Sequence, residues 1–201
     1  MAGWLASFLG ASRRNWSLPA PATVSGATIS PMPTPPAAPQ RPHEVDPFAP
    51  EKDLLEGFLD WYRQAVINKV SGLSREPATR RLVRTPTTLL GIVKHLGHVE
   101  RAWFQMRMAG KDLPVPWSDE DPDADFRIEP EETVEGLVAF YRDSVAASKA
   151  VTRSFDLDAR ARDPRRQVNL RWIMVHMIEE TARHAGHADI LREQIDGTVG
   201  E

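Results

Sequence analysis

The chain has 201 residues, enough for one domain of about 150 residues with a real core plus some excess. A net charge of −3 gives no basic footprint for nucleic acid. Cysteine is absent, which excludes disulfides, thiolate ligands and a cysteine nucleophile, so any metal must be held by His, Asp or Glu.

Ten of the 17 prolines fall within residues 1–50, in a stretch also rich in Ala, Ser and Thr. Proline at this density forbids helix interiors, and the large apolar side chains are too few to pack. Residues 1–47 are therefore expected to be a disordered tail, and 48–201 the folded domain. Met1 to Gly10 is apolar and short, and Arg13 and Arg14 follow it rather than precede it, the wrong order for a secretory signal. No apolar run reaches the ~20 residues that cross a bilayer. The expectation is a cytoplasmic protein without a membrane partner.

From Glu51 the pattern becomes helical. Leu54, Leu55, Phe58, Tyr62, Ala65, Val66 and Lys69 follow a 3.6-residue period, and Gly72 closes a first helix over 51–71. Thr85-Pro86 reads as an N-cap and first helical residue of a second helix that runs to about Met108. Pro114, Pro116 and Pro122 then make 111–128 a long loop. Its acidic run Asp119 to Asp125 lacks the spacing of a calcium loop. A third helix begins near Pro130, with Glu131 and Glu132 at its positive end, and fades near Ser154. The loop 155–168 carries Arg160, Arg162, Arg165 and Arg166 among acids, which reads as solvated surface. A fourth helix spans about Asn169 to Ile195 and stops before Gly197. No segment alternates as a strand. The expected fold is an all-α four-helix bundle with room for a long crossover.

Helical wheels place polar groups inward. On the second helix, Leu89, Ile92, Val93, Leu96, Val99, Trp103 and Met106 form one arc. His95 borders it, His98 points outward, and Glu100 falls inside it. On the fourth helix, Leu170, Ile173, Met174, Met177, Ala188, Leu191 and Ile195 define the arc. His184 lies about 20° and Glu180 about 60° from its centre, with His187 and His176 farther out. Residues four apart have Cβ atoms about 5–6 Å apart, so Glu180 and His184 can reach one ion. His95 from a facing helix supplies a third ligand and leaves a position open, as in catalytic metal sites. The plainer alternative is a hydrogen-bonded Glu180–His184 pair in the core. Burying an unpaired carboxylate costs several kcal/mol, which favours a partner of some kind. Trp103, Trp172, Tyr62 and Met177 read as core, some of them lining a pocket.

The segments LLGIVKHLGHVERAWF (89–104) and LRWIMVHMIEETARHAGHADILRE (170–193) resemble the DinB/YfiT-like superfamily, closest to its actinobacterial branch. The resemblance covers about residues 50–196 and leaves the Pro-rich tail without a counterpart. It implies a four-helix bundle with a long crossover. It also implies a divalent metal, zinc or nickel, held by one residue of the second helix and two at i, i+4 on the last. Many members use three histidines; here Glu180 replaces one, a set similar to the His, Glu, His of mycothiol-dependent maleylpyruvate isomerase. The resemblance implies His95, Glu180 and His184 as metal ligands; Glu100, inward on its wheel, or His187 is the candidate base or orienter. It implies transfer of a low-molecular-weight thiol to a small electrophile, or isomerisation through a thiol adduct, with metal-assisted hydrolysis as a variant. The rival expectation is a non-catalytic, stress-induced bundle that binds a metal or small ligand. A homodimer is the expected assembly.

Overall fold

The computed structural model describes residues 46–200, so the expected tail over 1–47 lies almost wholly outside the described residues. Four long helices form the bundle, as expected, and a short one joins them. They are α1 (Glu51–Val70), α2 (Arg75–Ala78), α3 (Leu89–Glu100), α4 (Val134–Ser154) and α5 (Leu170–Asp196). α3 continues without a break into a π-helix, Arg101–Met108, and the loop that follows holds one 3-10 turn, Ala124–Phe126. Among the described residues there is no strand, only an isolated antiparallel bridge between Arg160 and Asn169.

Three of the helix starts are set by side-chain caps. Thr88 accepts a hydrogen bond from the Gly91 amide at 3.0 Å, Thr133 from Gly136 at 3.0 Å and Asn169 from Trp172 at 2.9 Å. The second long helix thus starts at Leu89 rather than Pro86. Thr88 immediately precedes the buried run Leu89 to Val93, whereas the Thr85 hydroxyl is 2.9 Å from that of Thr87. The third long helix starts at Val134, not Pro130. Glu132 instead accepts from the Glu129 amide and pairs with Lys94. α5 matches the expected span and ends on Gly197, whose φ of 78° needs a residue without a Cβ.

Two faces differ from the wheels. α1 buries Leu59, Arg63, Val66, Ile67 and Val70, while Phe58 is exposed. The helix is rotated to bring Arg63 inside. In the π-helix each amide reaches one residue farther back, as in Ala109 to the Phe104 carbonyl at 3.0 Å. The extra residue per turn rephases the segment, so Phe104 and Met108 are fully buried and Met106 only partly.

The core has two apolar clusters. One joins Val66 to Val70, Leu89 to Leu96, Val134 to Tyr141 and Ala185 to Leu191. The other joins Leu59, Val99 to Met108, Val151 and Leu170 to Met177. Between them each long helix contributes buried polar residues: Arg63, Glu100, Ser144 and Ser148, and Glu180, Thr181 and His184. This middle layer holds the chemistry.

Candidate metal centre

His95 is buried at 7% exposure on α3, and its two ring nitrogens face opposite carboxylates. Nδ1 lies 2.7 Å from Asp125 Oδ2, and Nε2 lies 3.3 Å from Glu180 Oε1. Burial opposes charge on this ring, but the hydrogen bonds to Asp125 and Glu180 outweigh it and raise its pKa. Asp125 reaches His95 because the 3-10 turn packs against the start of α3. A Cβ at Gly91, one helical turn before His95, would sit 2.7 Å from the Phe126 carbonyl oxygen, so only glycine admits this approach.

Glu180 and His184 rise from one face of α5. His184 Nε2 is 3.3 Å from Glu180 Oε1, yet neither of its ring nitrogens has a hydrogen-bond partner among the described residues. Burial is the main cause that lowers the His184 pKa. Burial would raise the pKa of Glu180, but the two imidazoles prevail and hold it well below the usual carboxylate range. Arg183 adds a longer contact, 3.5 Å from the other Glu180 oxygen. One donor atom each from His95, Glu180 and His184 lies within 4.8 Å of the other two, and all three residues are buried. With its proton on Nδ1, toward Asp125, neutral His95 turns a lone pair toward the Glu180 oxygen. A cation among the three atoms satisfies every one of them, including the orphaned His184 nitrogen. Two imidazoles, one carboxylate and no thiolate suit zinc or nickel.

The other polar residues singled out by the wheels have different surroundings. Glu100, expected as base or orienter, is fully buried and both its oxygens accept from Arg63, at 2.7 Å each. His187 is exposed on α5, its ring centroid 5.5 Å from that of His184. His98 packs between Phe140 and Trp117, and burial lowers its pKa to about 4. His176 packs between Trp103 and Trp172.

Sequence reasoning missed Asp125. It sits in an acidic run that reads as solvated loop, but Ala124, Asp125 and Phe126 are all buried. The apolar residues flanking that aspartate were the available signal. A carboxylate on the far nitrogen of a ligating histidine fixes its tautomer and raises its basicity.

The family model described as mycothiol-S-transferase matches residues 54–197. The chain belongs to the mycothiol-S-transferase family. This is a DinB-like family, in line with the resemblance carried by the α3 and α5 segments. No curated protein matches the chain. Among solved structures, a conserved protein from Enterococcus faecalis is similar in fold. It is 14% identical with a TM-score of 0.55, and the match covers 75% of this chain and 99% of that one. The mycothiol-S-transferase match spans all four long helices and so includes His95, Glu180 and His184. No helix among the described residues is long and apolar enough to cross a membrane.

Proposed function

We propose that this protein is a metal-dependent thiol S-transferase. It would join a low-molecular-weight thiol, mycothiol by family, to a small electrophile. The observation that carries the reading is the buried convergence of His95, Glu180 and His184, with the His184 nitrogens unpartnered. These three residues would hold the metal, zinc or nickel. When bound, a divalent ion lowers the pKa of a coordinated thiol or water and so supplies a nucleophile near neutral pH.

The chain's own residues do the rest. Asp125 holds the His95 proton on Nδ1 and so keeps Nε2 facing inward. The apolar clusters on either side keep bulk water from the donors. His187, at the solvent side of His184 with ring centroids 5.5 Å apart, would accept the proton the thiol loses. The thiolate sulfur then bonds to the electrophilic carbon, and the leaving group departs with the bonding pair. We assign Glu100 to the ion pair with Arg63 instead of to proton transfer. Hydrolysis of the same class of electrophile would use water in place of the thiol.

Protein purified without chelators should carry close to one equivalent of zinc or nickel, and should consume mycothiol in the presence of an activated aryl halide. Less than a tenth of an equivalent, with no thermal stabilisation by added zinc or nickel, would sink the metal reading. Bound metal without thiol consumption over an electrophile panel would instead favour a non-catalytic binding bundle.

A further inference from the structure

Beside the metal donors lies a cluster of cations and indoles that the transfer chemistry does not use. Arg166, on the loop between α4 and α5, stacks its guanidinium over Trp103 and Trp172, with centroid distances of 5.4 and 5.0 Å. Arg107, from the π-helix, lies 4.2 Å over Trp103. The His176 ring is stacked on Trp172 at 5.2 Å and set edge-on to Trp103 at 4.5 Å. The sequence reads this loop as solvated surface, but it is pinned in place. The Arg162 and Asp163 amides donate to the Met108 and Arg107 carbonyls at 3.2 and 3.0 Å, and Ala161 donates to Val168 at 2.8 Å.

Both oxygens of Asp163 are taken by Arg165, at 3.0 and 3.1 Å. Arg166 forms no ion pair with a carboxylate among the described residues, and its side chain is exposed. Burial is the largest cause that lowers the Arg107 pKa; the like charge of Arg166 adds to it, and the nearby Asp163 opposes it. A chain with 28 acidic and 25 basic residues has carboxylates to spare, yet leaves Arg166 without one among the described residues. A guanidinium stacked on aromatic faces keeps its edge free, and that edge matches a carboxylate in two parallel hydrogen bonds. Trp172 is 40% exposed, so part of its indole remains open beside that edge. His176 is one turn from Glu180 on α5, so the cluster adjoins the metal donors.

We propose that Arg166 and Arg107, with Trp103, Trp172 and His176, form a binding site for a small aromatic carboxylate. The carboxylate pairs with Arg166, its ring lies against Trp172, and the positive field of Arg107 strengthens the pairing. The site would seat the electrophilic substrate with its anionic end away from the metal donors. That last placement rests on the transferase reading; recognition of the anion does not.

The test is titration of the full chain with benzoate at fixed ionic strength, followed by tryptophan fluorescence, with benzamide as the neutral isostere. Benzoate should bind saturably and at least tenfold more tightly than benzamide. Arg166→Gln should weaken benzoate tenfold and remove the preference, whereas Arg165→Gln, whose partner is Asp163, should leave both unchanged. His184→Ala should keep benzoate affinity within twofold, so failure of the metal reading leaves this result standing. If transfer activity is present, Arg166→Gln should raise KM for a carboxylate-bearing aryl halide tenfold and spare a neutral one. Equal binding of benzoate and benzamide, no saturable response, or an unchanged benzoate affinity in Arg166→Gln would overturn the proposal.

Discussion

Glu100 and Glu180 are both buried carboxylates in the middle layer of one bundle, and they are treated differently. Glu100 is fully buried, and its two oxygens accept parallel hydrogen bonds from the Nε and Nη2 of Arg63 at 2.7 Å. Arg63 in turn reaches Asp60 at 3.0 Å, and the pair sits where α1, α3 and α4 meet. Glu180 has one oxygen shared between two imidazoles at 3.3 Å each and the other 3.5 Å from Arg183. A fully buried carboxylate with short bonds from one guanidinium to both oxygens already has its charge matched. One whose neighbours stand back at longer distance, beside an unpartnered histidine, is poised for a cation. If Glu180 is a metal donor as proposed, the contrast separates a structural charge from a functional one more sharply than burial does.

The largest effect expected from this contrast is on folding. Arg63→Met strands the Glu100 carboxylate in the core, and breaking a buried pair costs about 3–5 kcal/mol. Urea unfolding should show that loss. A cost under about 1 kcal/mol would mean that Glu100 is solvated or protonated and the pair is incidental. Glu180→Gln should behave oppositely. Metal-free protein should unfold almost as the parent does, but the gain from zinc should vanish. At a hundredfold excess over Kd that gain is about 2.7 kcal/mol, readable as a shift in Tm with and without zinc. A variant that still gains stability from zinc would remove Glu180 from the donor set.

Asp125→Asn tests the support behind the first histidine. Loss of such an outer partner lowers metal affinity about 10–100-fold, roughly 1.4–2.7 kcal/mol. Competition with a chelating dye measures it, and an unchanged affinity would show that Asp125 merely packs.

The smallest effect concerns His98, whose pKa is lowered to about 4 by burial. Its folded pKa lies below its ordinary 6.5, so the unfolded chain takes up the proton first as pH falls. Stability should therefore drop between about pH 6.5 and pH 4, and that part of the drop should be missing in His98→Gln. Partial exposure keeps the difference below about 1 kcal/mol. Parallel urea titrations at pH 7 and pH 5 would reveal it, and identical slopes in the two proteins would refute it.

The α5 span and the inward pair Glu180 and His184 were legible because one helix carries them at a spacing that geometry reads directly. So was His95, since α3 keeps a regular winding up to Glu100. Legibility failed where the winding changed. Stepping 100° per residue beyond Glu100 puts Met106 inside, while the π-helix buries Phe104 and Met108. It failed again where a contact spans loops. Asp125 meets His95 across 30 residues, and Arg166 meets Trp103 and Trp172 from a turn whose shape is set by backbone bonds to the π-helix. Arg63 was hidden for another reason: nothing in α1 alone shows that a cation belongs on its inner face, because the matching anion is on α3.

The change of winding after Glu100 makes one rod serve as two independently aimed tools. Upstream, the α-helical half points His95 at α5. Downstream, the wider coil points Trp103 and Arg107 at the turn that carries Arg166. Removal of a single residue between Arg101 and Met108 would return that segment to ordinary pitch, about 100° per residue, and so re-aim the side chains within it. The indole and guanidinium would leave their station while the histidine kept its own. If the Arg166 cluster seats the substrate as proposed, substrate preference can drift by one-codon insertions and deletions without disturbing His95, Glu180 and His184.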